Sequence, residues 1–99
     1  MLLSMIRVTK IVTVKDMDNA IDKVGDAIAE MAGLDVYLKM KKGSQIGQKI
    51  ESLRMKCVLK GWMDQVDRLE ETMDLCQEVS HELDSARQSL KQIARNTNR

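Results

Sequence analysis

The 99-residue chain contains no proline and no phenylalanine, and its only aromatic residues are Tyr37 and Trp62. Without proline no interior position is barred from a helix, and the shortage of aromatic side chains argues against all-β folds. Cysteine is also scarce. Cys57 and Cys76 show no C-x-x-C spacing, so neither a disulfide framework nor a zinc site is indicated, which fits the cytoplasm or another reducing intracellular compartment. Long apolar runs are missing too. In the opening MLLSMIRVTK, Arg7 and Lys10 interrupt the apolar residues before a secretion signal or membrane span could form, and residues 1–15, basic and free of acids, carry only a faint mitochondrial-presequence character.

What remains is a helix-forming composition, 31% charged, with Met, Leu, Ile, Val and Ala as the apolar content. The expected architecture is all-α: one helical domain over 1–99, an asymmetric helical hairpin with one long helix, associating in coiled-coil fashion into a helical bundle. So short a chain buries a comparatively small fraction of its surface, and a partner chain is expected to supply the rest. Charge falls in bands, basic over 1–15, acidic over 16–38, basic over 39–60, acidic over 61–86 and basic over 87–99. Such bands favour particular neighbours among helices.

The segment 1–15 is an arm in which Ile6, Val8, Val12 and Val14 share one parity, a short strand by pattern, or helix where packing overrides propensity. From Asp16, read as an N-cap, Met17, Ile21, Val24, Ile28, Met31, Leu34 and Leu38 recur at spacings of four and three, which predicts a first helix over 16–42. A bend over 43–46 follows. Ile46, Ile50, Leu53 and Cys57 then form one stripe, while Met55, Leu59, Trp62, Val66, Leu69, Met73 and Cys76 form a second that begins before the first ends. The second passes through Gly61 in phase, which predicts one long helix over 47–95, its seam shifting beyond Cys76 to Leu83, Ala86, Leu90 and Ile93.

The stretch KMKKGSQIGQK, Lys39 to Lys49, gathers lysines around Gly43 and Gly47. A phosphate-binding loop requires GxxxxGK[ST] after a strand, and both the spacing and the context differ here. Lysines before a glycine, with Ser44 able to cap a following helix, instead read as the end of one helix and the start of another. Lys49, Lys56 and Lys60 share a helical face that Lys42 approaches, a row suited to phosphates of double-stranded RNA or DNA without base reading.

Cys76 and His81 lie five residues apart, which on one helix separates them by about 140° and rules out a shared metal ion. The single histidine has no nucleophile or orienting partner in the pattern. No catalytic residue, cofactor or metal is expected, and the chain reads as non-enzymatic. The expected function is a scaffold, adaptor or chaperone that meets a helical partner, as homodimer or hetero-oligomer, through the seam residues Met55, Leu59, Trp62, Val66, Leu69, Met73, Leu83 and Leu90. The alternative is a sequence-independent nucleic-acid-binding dimer using Lys42, Lys49, Lys56 and Lys60.

Overall fold

A computed structural model describes the backbone of residues 6–97, with side chains described over 6–80. Three α-helices form the bundle: α1 (Val14–Met31), α2 (Val36–Lys60) and α3 (Met63–Thr97), each packing on the other two. The molecule is elongated, 59 × 26 × 15 Å, as expected when α3 runs at about 1.5 Å per residue along the bundle.

The described arm contains no strand. Val8–Lys10 form one turn of 3-10 helix between extended flanks, and α1 already begins at Val14. An isolated β-branched segment has no second strand here to satisfy its backbone, so packing decides its form. The N-cap is Thr13 rather than Asp16. Thr13 Oγ1 accepts from the Asp16 backbone N–H at 3.1 Å, and Asp16 Oδ2 accepts from the N–H groups of Thr13 at 3.0 Å and Val12 at 3.1 Å. This reciprocal capping box satisfies donors that open at the first turn of any helix. Those backbone hydrogen bonds hold the Asp16 carboxyl below its ordinary value.

The first chain reversal comes at residues 32–35, well before the expected bend at 43–46. α1 stops at Met31, Leu34 N–H donates to the Met31 carbonyl at 3.0 Å, and Asp35 caps α2 by accepting from Leu38 N–H at 2.9 Å. The run KMKKGSQIGQK is therefore interior helix. Lys39, Gly43, Ile46, Ile50, Leu53 and Cys57 are buried in an unbroken four-and-three rhythm along the inner side of α2. Gly43 is there for closeness: a Cβ at this position would stand 2.8 Å from Ser80 Cβ on α3 and 3.4 Å from Met31 Sδ on α1. Glycine marks a tight helix crossing here, where sequence pattern alone reads it as a breaker.

The second reversal is at Gly61, and it divides the expected 47–95 helix. Gly61 sits at φ 75°, ψ 21°, the left-handed region. Its N–H donates to Val58 O at 3.2 Å while Trp62 N–H donates to Cys57 O at 2.9 Å, the paired bonds of a Schellman motif that close the last turn of α2. Glycine adopts this backbone at no steric cost, whereas any Cβ would be strained.

The core combines Met17, Ile21, Val24, Ile28 and Met31 of α1 with Ile46, Ile50, Leu53 and Cys57 of α2 and Val66, Leu69 and Cys76 of α3, sealed by Ile6 and Ile11 of the arm. Arg68, basic within an otherwise acidic stretch, joins α3 to α1: its guanidinium donates to Asp18 at 2.9 Å and Asp22 at 3.1 Å. Two acidic helices lie together around that cation, although the pair is surface-exposed and contributes at most ~1 kcal/mol.

Candidate interaction surface

The residues of the expected seam separate into two groups. Val66 and Leu69 are buried in the chain's own core, and Trp62 and Met73 are half-buried against it. Met55 and Leu59 point the other way, 57% and 83% exposed on the outer side of α2. Leu83 and Leu90 lie outside the described side chains. The 4-3 spacing across Gly61 thus links an outer stripe of α2 to the inner stripe of α3, two faces that happen to meet in phase at a tight turn. The overlap of two apolar stripes between residues 53 and 59 was the sequence signal for this: α2 is apolar on opposite sides.

The outer apolar residues concentrate at the α2–α3 end. Val58, 50% exposed, and Met63, 58% exposed, join Met55 and Leu59 there. Because α2 spends Ile50, Leu53 and Cys57 on the core, nothing in the described chain covers the opposite side of its last two turns. Tyr37, Leu38 and Met40 are exposed at the other end of the same helix. Clustered large apolar side chains of this kind mark contact surfaces more often than isolated ones do. Val58 and Met63 escaped the seam reading because they fall off its 4-3 rhythm.

The lysine row is placed otherwise than a phosphate-binding face requires. Lys49 Nζ donates to the Ile6 carbonyl at 3.0 Å and Lys56 Nζ donates to the Val8 carbonyl at 2.6 Å, so both half-buried ammonium groups tie the arm to α2. Lys42 is half-buried and lines a groove with Leu34 and Leu38, while Lys60 is exposed in the last turn of α2, where a cation favours the helix dipole. Exposed cations gather instead beside α1, where Arg7, Lys10 and Lys23 border an open cleft of about 310 Å³ over Ile6, Ile11 and Ala20.

Cys57 and Cys76 are free thiols. Burial pushes both above the ordinary thiol value, with Asp18 adding to the effect at Cys57, and this disfavours the reactive thiolate. Cys76 Sγ lies 3.6 Å from the Gly43 carbonyl, a weak donor filling the close α2–α3 crossing. Among the described residues no group of three His, Cys, Asp or Glu side chains is arranged to hold a metal ion, and no helix is long and apolar enough to cross a membrane. His81 lies outside the described side chains. In comparisons with protein-family models, curated proteins and solved structures, the chain matches none.

Proposed function

We infer that this chain is a non-enzymatic helical interaction protein, a scaffold, adaptor or chaperone, whose contact surface is the outer side of α2 at the α2–α3 turn. The observation that carries the reading is the exposure, by half or more, of Met55, Val58 and Leu59 on α2, a helix whose opposite side is already committed to the core, together with Met63 at the start of α3 just past the turn. A helix apolar on two sides is a helix meant to be covered on two sides. Methionine suits such a surface because its flexible thioether adapts to more than one partner shape. A second copy or another helical protein supplies the cover.

The contact surface is narrower than the seam expected from sequence, since Val66 and Leu69 are spent inside the chain. The nucleic-acid reading draws less support, because the ammonium groups of Lys49 and Lys56 already donate to arm carbonyls and would have to exchange them for phosphate oxygens.

The test is a Met55→Asp/Leu59→Asp double variant, which changes only exposed positions. Sedimentation equilibrium across a wide concentration range measures self-association, and co-purification from the native source, with and without nuclease, identifies other partners. The reading expects the variant to keep its helical circular dichroism while losing self-association or its protein partner, and to lose with it any dependence of the melting temperature on protein concentration. A variant with the same mass and the same partners as wild type refutes it, and a nuclease-sensitive association moves the function to nucleic acid.

A further inference from the structure

The outer side of α2 reads nearly the same in both directions. Counted from Gln48, Ser44 and Ser52 stand four residues away on either hand, Met40 and Met55 eight before and seven after, and Tyr37 and Leu59 eleven away on either hand. Steps of four, seven, eight and eleven residues keep to one side of a helix. All seven residues are exposed, and they lie opposite the buried row Ile46, Ile50, Leu53 and Cys57. A palindromic face is what a two-fold axis requires, because an isologous contact must be complementary to itself.

The charges select the antiparallel sense. Laid parallel and in register, two α2 helices would set Lys41 against Lys41. Laid antiparallel about Gln48, they bring Tyr37 to Leu59 of the second copy and carry Lys41 to the last turns of the second α2, where carbonyl ends favour a cation. Glu51, the single acid of α2, is already paired with Arg54 of its own helix at 2.6 Å. Lys49 and Lys56 donate to arm carbonyls and stay off this face. The middle of the stripe can also be covered without loss: Ser52 Oγ donates to the Gln48 carbonyl at 3.1 Å, so its hydroxyl keeps a partner when water leaves. The Gln48 side-chain amide carries donor and acceptor together, and two of them bond each other across an axis.

We propose that the partner of this surface is a second copy of the chain, seated antiparallel, α2 on α2, with the two-fold axis at Gln48. The proposal rests on the interaction reading above and names its occupant, extending the contact from the α2–α3 turn along the outer side of α2 to Tyr37. At about 1.5 Å per residue the matched faces run about 33 Å, and they are about 10 Å across. Such an area is at the low end of specific interfaces, the class of weak, reversible pairs. Each copy therefore keeps its own three-helix fold on dilution.

The test is disulfide cross-linking of the full-length protein at high micromolar concentration. Facing helices with axes about 8–10 Å apart bring Cα atoms on the axis to about 4–6 Å, within disulfide reach. Cys57 and Cys76 are buried, so oxidised wild type is the control and should stay single. Gln48→Cys should form a linked dimer at least about tenfold faster than Ala29→Cys, an exposed position on α1, because pairing raises the effective concentration of the two thiols. Ser44→Cys and Ser52→Cys should link when mixed but not alone, since like positions stand about 12 Å apart along antiparallel helices. Linking of each alone would signal a parallel pair and overturn the proposal. Adding Leu59→Asp to Gln48→Cys should remove the rate advantage. A Gln48→Cys protein that links no faster than Ala29→Cys also overturns it. That failure is distinct from failure of the interaction reading, which survives if Met55→Asp/Leu59→Asp still loses a different protein partner.

Discussion

Replacing Gly43 by alanine isolates the tightest contact of the bundle. The new Cβ would lie 2.8 Å from Ser80 Cβ, 3.3 Å from Ser80 Oγ and 3.4 Å from Met31 Sδ. The thioether can rotate away and so can the hydroxyl, but Ser80 Cβ is fixed to the α3 backbone. Restoring an ordinary carbon–carbon contact of about 3.5–4.0 Å therefore requires α2 and α3 to separate by roughly 1 Å locally. Overpacking of this kind costs about 1–3 kcal/mol, and the higher helix propensity of alanine returns about 1 kcal/mol. The net expectation is a loss of about 0–2 kcal/mol. Gly25 on α1 is the matched control, since a Cβ there meets nothing within 4 Å. Gly25→Ala should stabilise by about 0.5–1 kcal/mol. Guanidinium unfolding followed by circular dichroism compares the two, and what matters is their difference, about 1–3 kcal/mol in favour of Gly25→Ala. Equal stabilisation by both substitutions would refute the close-crossing argument.

Gly61→Ala places a Cβ on a residue at φ 75° and should destabilise by about 1–2 kcal/mol, read as a lower melting temperature, although nothing crowds the position. A rise in melting temperature would restore the continuous helix. Leu69→Asp puts a carboxylate at a fully buried position and should abolish cooperative melting, whereas Leu59→Asp, on the exposed side of α2, should change stability by no more than about 0.5 kcal/mol. Similar losses from both would show that Leu59 is covered. Asp16→Ala removes the capping box, and the pH dependence follows from the lowered carboxyl value in the folded chain. The wild-type advantage over the variant should be complete above the ordinary aspartate value of about 3.9 and should vanish as pH falls through the lowered folded value. Melting temperatures of both proteins from neutral to acidic pH measure it, and a difference that does not change with pH would rule out the charged cap.

The all-α class was legible because it depends on local terms. The absence of proline, the helical spacing of Met17 through Met31 and the stripe Ile46 to Cys57 are properties of neighbouring residues, and the structure buries all of those positions. Glycine was harder to read. Gly43 and Gly61 carry the same local propensity, yet one allows two helices to touch and the other ends a helix at positive φ. No feature within a few residues of either separates a small side chain chosen for closeness from one chosen for its backbone. The lysine row was legible as a face but not by its partner, because the carbonyls of Ile6 and Val8 lie more than forty residues away in sequence. Likewise the 4-3 spacing from Met55 to Cys76 is a property of the sequence, but assigning its first part to an exposed surface and its second to the core required the chain reversal between them. Helical periodicity determines which residues share a face of one continuous helix. Which face is covered depends on where that helix stops and what packs back against it, and only the tertiary structure decides that.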